Sequence, residues 1–267
     1  MESGFKAPLV LLVPEQFSFQ AEKSLLDYAG EKVFAYVQVL SFNWMAYKVF
    51  SEEGGIARKH INPAGKNMLI YDVLDEVESD LTLYKSASRR QGFIDVMDNM
   101  ITEFKRYNVT PEMLKDVSKN IKSSGLKDKI NELQIIYENF EKKLHERYID
   151  AEDDLTLLSE KLDTSDVYSG AEIWIDQFIS FTPQQYVIIE KLLKKAANVN
   201  ITLTADCIDD CENVDSTDVF MPVKNTEKKL LKIISDNNIA YEKPVCMSSD
   251  FRFRGSRELQ HLERYLF

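Results

Sequence analysis

The clearest chemical pattern in this chain lies in residues 172–186, which read Glu-Ile-Trp-Ile-Asp-Gln-Phe-Ile-Ser-Phe-Thr-Pro-Gln-Gln-Tyr. The apolar residues 173–175 predict a buried strand that ends at Asp176. A carboxylate at a strand end can hold Mg²⁺, and a second acid beside it could accept a proton from water. The next residue is Gln177, however, and an amide does not accept a proton from water near neutral pH. The segment therefore predicts a magnesium-type site that lacks its general base.

The segments around this site predict an α/β framework. Residues 7–13 and 33–40 read as strands, and residues 19–26 and 41–50 as helices, with Ser18 as the expected N-cap of the first helix. Strand, helix, strand, helix implies parallel pairing with right-handed crossovers. The pattern resumes with strands at 171–178 and 200–205 and helices at 184–197 and 226–237. Thr182 and Gln185 form a predicted capping box, and we expect a short strand around Ile239.

The middle of the chain predicts only helices. Apolar residues recur at helical spacing in two stripes, and Thr110-Pro111 reads as an N-cap followed by proline at the first helical position. The simplest architecture is an α/β parallel-sheet domain formed by residues 1–58 and 168–267. An all-helical insertion, residues 59–167, interrupts it. The stripes comprise Phe93, Val96, Met97, Met100, Ile101 and Phe104, then Ile130, Leu133, Tyr137, Phe140 and Leu144.

The composition is that of a globular protein of one or two domains, with 267 residues of which 44% are hydrophobic. We expect neither a membrane span, which needs roughly 20 apolar residues, nor a signal peptide. Three cysteines suggest a reducing compartment, so a cytoplasmic location is expected. Cys207 and Cys211 are four residues apart and could seat a metal. Without a second Cys/His pair nearby, free thiols in an acidic loop are the expected state.

The charge distribution is uneven. A net charge of −11 argues against a free-standing, non-specific DNA-binding protein. Residues 150–180 contain nine acids and one lysine, whereas residues 85–147 contain 13 Lys/Arg and 10 Asp/Glu. A slightly basic helical region beside acidic loops is compatible with a polyanion on one face, although a solvated face of mixed charge is the commoner explanation.

Five segments, in order along the chain, carry a family resemblance. They are Leu-Val-Pro-Glu-Gln-Phe-Ser-Phe at 12–19, Val-Leu-Ser-Phe-Asn at 39–43, Thr-Glu-Phe-Lys-Arg-Tyr at 102–107, Tyr-Ile-Asp-Ala-Glu-Asp at 148–153, and residues 175–185. Together they resemble the N-terminal part of the AddB (RexB) family. These proteins belong to the bacterial AddAB helicase–nucleases, the counterparts of RecBCD, in which they pair with AddA. Each segment alone is weak, but the ordered set is specific and spans nearly the whole chain.

The resemblance implies a RecA-like domain of superfamily 1 helicases, with a helical insertion and a degenerate Walker B segment at Asp176 and Gln177. The family's Walker A loop is not found, because the Gly65-Lys66 pair is followed by Asn67 and preceded by His60 where a P-loop needs Ser/Thr and glycine. We expect no cofactor in this segment. ATP with Mg²⁺ and an iron–sulfur cluster would belong to the longer parent protein, and the resemblance assigns none of Cys207, Cys211 and Cys246 to the cluster.

The resemblance also implies contacts with single-stranded DNA. Rings that stack on bases and polar groups that reach phosphates are the expected ligands. The alternative is that the aromatic residues belong to the hydrophobic core. Phe42 and Trp44 are about 200° apart on a helix, so at least one of them is expected to be a core residue. The candidate DNA-binding residues are Gln16, Ser18, Phe42, Trp44, Tyr47, Phe178 and Phe181.

Three functions remain open at this point. The first is an inactivated helicase-like module without catalytic activity of its own, which binds single-stranded DNA beside an AddA subunit and takes part in Chi recognition during repair of double-strand breaks. The second is the ATP-hydrolysing half of a motor whose P-loop lies outside this chain. Gln177 separates the two, because a working motor needs an acid there. The third is a generic α/β protein with a helical cap.

Overall fold

Short parallel strands form the main sheet. The computed structural model describes residues 8–54, 59–88, 90–205, 217–247 and 255–265. All neighbouring strands of the main sheet are parallel, in the order β2-β1-β5-β6, and β3 pairs with β4 in a separate parallel ladder. The strands are β1 (Leu9–Leu12), β2 (Val37–Leu40), β3 (Lys59–His60), β4 (Tyr148–Ile149), β5 (Glu172–Ile175) and β6 (Asn198–Ile201).

Helices connect these strands and fill the long interval between β2 and β5. Short 3₁₀ turns occur at Glu15–Phe17, Glu31–Ala35 and Glu78–Asp80. The predicted α/β class and parallel pairing are confirmed. The helices are α1 (Ser18–Ala29), α2 (Phe42–Glu53), α3 (Pro63–Glu76), α4 (Gln91–Arg106), α5 (Pro111–Asn120), α6 (Ser124–Arg147), α7 (Ala151–Leu162), α8 (Pro183–Lys195), α9 (Met221–Asp236) and α10 (Arg257–Tyr265).

The strand order makes the chain reverse its direction across the sheet at β1. The connection from β1 to β2 runs one way, whereas those from β2 to β5 and from β5 to β6 run the other way. Because parallel crossovers are right-handed, α1 lies over one face and α2, α7 and α8 lie over the opposite face. In agreement, α7 contacts both α2 and α8, and α1 contacts β2.

The main core lies under α2, α7 and α8. Alternate residues of the two central strands, Val10 and Leu12 of β1 and Ile173 and Ile175 of β5, are fully buried against these helices. We call this side of the sheet the inner face. A second hydrophobic cluster is built from α3, α4, α5 and α6, with Phe140 and Ile70 at its centre. The division of the chain into two domains stays a prediction, but α7 packs with the sheet.

A buried lysine joins the helical cluster to α7. Lys105 of α4 is 6% exposed, and its Nζ lies 2.8 Å from a carboxylate oxygen of Glu141, 2.9 Å from Asp150 and 2.8 Å from Asp153. Asp150 and Asp153 are also the two ends of the capping box that starts α7. The lysine therefore ties α4 and α6 to the first turn of a helix that packs on the sheet. We call Lys105, Glu141, Asp150 and Asp153 the junction network.

Burial and charge compete within the junction network. Burial alone would lower the pKa of Lys105, but the carboxylates of Asp150, Glu141 and Asp153 outweigh it and hold that pKa above its ordinary value. Burial would raise the pKa of Asp153, yet hydrogen bonds from His145 and Lys105 keep it well below its usual range. His145 Nε2 lies 3.2 Å from Asp153 Oδ2, and this hydrogen bond raises the pKa of the imidazole. Lys105 and Asp153 therefore stay charged across the physiological range.

Several local predictions were wrong. Ser18 does not cap α1, because a 3₁₀ turn after Pro14 leads directly into the helix, which already includes Ser18. The strand predicted at 33–40 begins only at Val37, since Glu31–Ala35 form a 3₁₀ turn. No strand forms around Ile239, whose N–H donates back to Ile234 O at 3.0 Å after Asn238 adopts a φ of 52°. The insertion predicted to be all-helical, residues 59–167, also contains the short strands β3 and β4.

The other two predicted caps, at Thr110 and Thr182, are confirmed. Thr110 accepts a hydrogen bond from Met113 N at 3.3 Å at the start of α5, where Pro111 is the first helical residue. Thr182 and Gln185 form the capping box of α8 through two reciprocal bonds of 3.3 and 2.9 Å. These bonds satisfy backbone donors that the first turn of a helix would otherwise leave without partners.

Removing the junction lysine should destabilise the protein strongly. In Lys105→Met the side chain keeps a similar length, but three carboxylates lose their nearest cation, which should cost about 3–5 kcal/mol of unfolding free energy. Urea unfolding followed by far-UV circular dichroism measures this loss. The matched control is Arg106→Met, because the arginine is solvent-exposed and its 3.2 Å ion pair with Glu152 should be worth about 1 kcal/mol or less. Equal losses in the two variants would contradict a special role for Lys105.

His145 should make the stability depend on pH. Its pKa is raised in the folded state, so the stabilisation from the charged imidazole is fully present below its unfolded pKa of 6.5 and disappears as pH rises through the folded pKa. The free energy of unfolding should therefore exceed that of His145→Gln at about pH 5.5, with little difference at about pH 8.5. Because the ring is partly exposed, we expect at most about 1 kcal/mol. A difference that is constant over this range would rule out titration of His145 as the cause.

Candidate functional site

The reversal of the connections at β1 defines a crevice at the carboxyl edge of the sheet. In open parallel sheets, ligands bind outside the carboxyl ends of the strands where neighbouring connections run to opposite faces. Here that point lies between β1 and β5. The segment after β1 contains Pro14, Glu15 and Gln16, and the segment after β5 begins with Asp176 and Gln177. The parallel β1–β5 pairing, with Leu12 opposite Ile175, places both segments at the same edge.

Asp176 is held by polar neighbours at this edge. One carboxylate oxygen accepts a hydrogen bond from Thr202 Oγ1, just after β6, and the other lies 3.5 Å from Gln177 Nε2. Gln177 is exposed and has a φ of 69°, a left-handed conformation that is uncommon for residues other than glycine. The amide thus sits beside the carboxylate as a donor. The pair can bind a cation or a polar group through Asp176, but Gln177 cannot activate water.

Side chains after β1 and β2 meet beside this pair. Asn43 Nδ2 donates to Glu15 Oε2 at 3.0 Å, which links the ends of the two strands. Gln16 is exposed, whereas Ser18 is half-buried, with an Oγ that lacks a hydrogen-bond partner among the residues that the structure describes. Ser41 is the N-cap of α2 and accepts a hydrogen bond from Trp44 N at 3.3 Å. The first turn of α2 therefore projects from this edge.

Three of the candidate aromatic residues pack together below the edge. Phe42 is 5.7 Å from Phe178 and 6.4 Å from Phe181 between ring centroids, and Phe178 is 4.9 Å from Phe181. Phe42 and Phe181 are 4% and 6% exposed and belong to the main core, against which the half-buried Phe178 packs. In this conformation the rings of Phe42 and Phe181 cannot stack on a base. They anchor the start of α2 to the loop that follows β5.

Trp44 and Tyr47 point the other way and are open to solvent. They are 55% and 54% exposed, and their rings meet edge to face with centroids 5.6 Å apart and an interplanar angle of 79°. The expectation that Phe42 and Trp44 cannot both be on one side of the helix is confirmed, with Phe42 as the core residue. Lys48, the next residue on α2, bonds to Gln38 Oε1 of β2. The exposed pair is thus a rigid apolar surface beside the carboxyl edge.

The Gly65-Lys66 pair is not a phosphate-binding loop. Asn62 caps α3 by accepting a hydrogen bond from Gly65 N at 2.7 Å, so this segment is an ordinary helix start. Lys66 is 7% exposed, and its Nζ lies 3.0 Å from Asp98 and 3.6 Å from Asp150. Carboxylates inside the protein therefore already balance the positive charge of this lysine. The described residues therefore include a potential magnesium ligand, Asp176, but no binding loop for the phosphates of a nucleoside triphosphate.

One cluster has the donor types of a metal site. Oxygen or nitrogen atoms of Glu141, His145 and Asp153 lie within 4.8 Å of one another. The ammonium of Lys105, however, is 2.8 Å from both Glu141 and Asp153 and occupies the position that a cation would take. We interpret this cluster as part of the junction network. Cys246 is exposed, and Cys207 and Cys211 lie outside the described residues.

Comparison with known proteins decides the family. The sequence profile of the family "ADDB, N-terminal" matches residues 1–263. The chain therefore belongs to the AddB family. Similar proteins, each named as the B-type subunit of an ATP-dependent helicase/deoxyribonuclease, occur in Clostridium botulinum strain Hall (52% identical over 269 residues), Thermoanaerobacter sp. strain X514 (49% over 269) and Clostridium tetani strain Massachusetts (45% over 272). Each match covers 100% of this chain but only 23%, 23% and 24% of these relatives, so the chain spans about a quarter of their length.

The chemical motifs of the sequence did not indicate the junction network, although two segments of the AddB resemblance contain most of its residues. The family segments at 102–107 and 148–153 contain Lys105, Asp150 and Asp153, three members of the junction network. In the sequence, Lys105 lies more than 40 positions from Asp150 and Asp153, and no local pattern indicates that they meet.

None of the helices in the described parts of the chain combines the length and the apolar character that a membrane span requires.

The two aromatic groups at the edge should differ in their effect on stability. Phe42→Ala removes a buried ring and should lower the free energy of unfolding by about 3–5 kcal/mol. Trp44→Ala removes an exposed ring in contact with Tyr47 and should cost at most about 1 kcal/mol. Chemical denaturation of both variants, followed by circular dichroism, measures the difference. A loss for Trp44→Ala as large as that for Phe42→Ala would mean that Trp44 is a core residue.

Proposed function

We propose that this part of the AddB-type protein is a helicase-like module without hydrolytic activity that binds single-stranded DNA at the carboxyl edge of its sheet. The observation that carries the proposal is the exposed, mutually packed pair of Trp44 and Tyr47 beside the reversal point of the sheet. In this proposal, the chain is the N-terminal part of a protein that processes DNA double-strand breaks for recombinational repair, together with an AddA partner.

Stacking is the physical basis of the proposed binding. An aromatic ring stacked on a base contributes about 1–3 kcal/mol, and any base can stack because each has a π face. Trp44 and Tyr47 are held by a helix whose opposite side is anchored by Phe42, so little conformational entropy is lost when a base stacks on them. Gln16 offers an exposed amide for a phosphate or a base edge. The Ser18 hydroxyl lacks a hydrogen-bond partner among the described residues, but its oxygen is buried and is not open to DNA in this conformation.

The charge of the surface supports stacking over phosphate neutralisation. Glu15 and Asp176 lie at the same edge, and the chain as a whole has a net charge of −11. Lys48 adjoins Tyr47 but is already paired with Gln38 and lies 3.9 Å from Glu52. We therefore expect the affinity for DNA to fall only gently with salt, with a logarithmic slope of about 0.7 for each phosphate that is neutralised.

The residues at the end of β5 support a module that does not hydrolyse ATP. A RecA-like domain with an acid at the end of β5 would hold Mg²⁺ through Asp176, whose carboxylate is positioned by Thr202 and Gln177. The magnesium and nucleotide would supply phosphoryl-transfer chemistry if a P-loop from elsewhere in the protein completed the site. Gln177 has no basic atom to activate water at neutral pH. This amide favours binding and participation in Chi recognition over the alternative of an ATP-hydrolysing motor.

The proposal predicts that loss of either exposed ring weakens DNA binding. For a labelled single strand of roughly 20 nucleotides, Trp44→Ala and Tyr47→Ala should each raise the Kd about five- to a hundredfold, in line with the loss of one stacked base. Fluorescence anisotropy across a salt series measures both the Kd and its salt dependence.

Tyr28→Ala is the matched control for this experiment. Tyr28 is 95% exposed, but it lies near the end of α1, which runs away from the carboxyl edge. Its loss should leave the Kd unchanged. Equal weakening by all three substitutions would indicate non-specific adsorption, and a parent protein that is folded but does not bind at low salt would refute DNA binding by this chain.

A further inference from the structure

The connection between α5 and α6 forms an exposed hairpin end. α5 packs on α6, and its Leu114 belongs to the core of the helical cluster. Beyond α5, every residue from 122 to 129 is exposed, and the first buried residue of α6 is Glu132. α6 has 24 residues and therefore spans about 36 Å at 1.5 Å per residue. The exposed end is thus far from β4 and the junction network, which lie at the other end of α6. We call residues 115–129 the hairpin tip.

The hairpin tip is basic, although the chain as a whole is acidic. Residues 115–129 contain five lysines and two aspartates, whereas the net charge of the chain is −11. Lys119 Nζ lies 2.7 Å from Asp116 Oδ1, but the two side chains are 66% and 73% exposed, so this ion pair contributes little. The other four lysines are exposed and have no ion pair among the residues that the structure describes. They are Lys115, Lys122, Lys127 and Lys129. The tip therefore presents positive charge that a ligand can neutralise.

The residue types of the hairpin tip match a phosphate backbone better than a base. No aromatic residue occurs between Pro111 and Ile130, so bases cannot stack on rings here as they can on Trp44 and Tyr47. Lysine ammonium groups instead contact phosphates as point charges. Double-stranded DNA carries one negative charge per about 1.7 Å of its axis, a higher density than that of a single strand. We propose that the hairpin tip binds the phosphate backbone of duplex DNA.

Three lysines of the hairpin tip can contact one DNA backbone together. Lys115 and Lys119 are four residues apart on the same side of α5, and Lys122 follows where the chain leaves this helix. Their flexible side chains can reach phosphates without reading bases, so the binding is independent of sequence. The inference rests on the proposed function only for DNA as the polyanion. It uses none of the residues at the carboxyl edge of the sheet, where the single strand is proposed to bind.

Salt-dependent binding of duplex DNA tests the inference in the full-length protein expressed from its complete gene. Fluorescence anisotropy measures the Kd for a labelled blunt duplex across a salt series, without ATP and in EDTA, so that the DNA is neither unwound nor cut. The triple variant Lys115→Gln/Lys119→Gln/Lys122→Gln should raise the Kd roughly tenfold or more at low salt. The logarithmic salt slope should fall by about 0.9 for each lost phosphate contact, and thus by up to about 2.7. The single variant Lys122→Gln, outside both helices, should lower the slope by about 0.9 and covers the case in which the triple variant does not fold.

A second triple variant is the matched control. Lys23→Gln/Lys142→Gln/Lys228→Gln removes the same charge from three exposed lysines outside the hairpin tip and should leave the salt slope unchanged. Equal effects of the two triple variants, or an unchanged slope in the tip variants, would overturn the inference.

A single-stranded ligand distinguishes this inference from the proposed function. Trp44→Ala should weaken binding of the single strand and leave the Kd for the duplex unchanged. If the tip variants weaken duplex binding but Trp44→Ala has no effect on the single strand, the proposed function alone is refuted.

Discussion

The pairing of β1 with β5 is the interaction on which the rest of this structure depends. The two strands are neighbours in the sheet, although α1 to α7 lie between them in the sequence. Closing so long a connection costs conformational entropy, which the helical cluster offsets by folding on its own core. The junction network then fixes the returning chain, because Lys105 holds the first turn of α7 against α4 and α6. The same contacts that stabilise α7 thereby place Asp176 beside the end of β1.

This arrangement separates the parts of the candidate site by their physical roles. Phe42, Phe178 and Phe181 provide the packing that holds the edge in place, whereas Trp44 and Tyr47 are left free on the outside of the same helix. Gln177 follows the strand-end acid Asp176 in a left-handed backbone conformation and lacks the basicity that hydrolysis needs. Under the proposed function, this scaffold would hold a strand of nucleic acid in a constant position. The work of translocation would fall to another motor.

Periodicity and cap chemistry predicted most elements of the fold, because both act within a few residues. The capping box at Thr182, the cap at Thr110 and the strand that ends at Asp176 are all local signals. The errors at Ser18 and Ile239 are also local, since a 3₁₀ turn and a left-handed Asn238 compete with the predicted states. These local signals could not predict the burial of Lys105 and Lys66. A lysine in a helix is normally solvated, and only folding brings carboxylates to these two lysines from more than 30 positions away in the sequence.

Exposed aromatic residues have two different meanings in this protein. Trp44 and Tyr47 lie on a helix whose other side is fully packed, they contact each other, and polar groups converge on the edge beside them. Such a surface is complete without a covering segment, as expected for a site that binds and releases a ligand. Trp174 lies on a sheet face, next to a helix that buries none of its residues. Because parallel sheets are usually covered on both faces, the exposure of Trp174 marks a face whose packing is incomplete among the described residues. Exposure alone therefore does not distinguish a binding site from an incomplete core, but the packing behind each ring does.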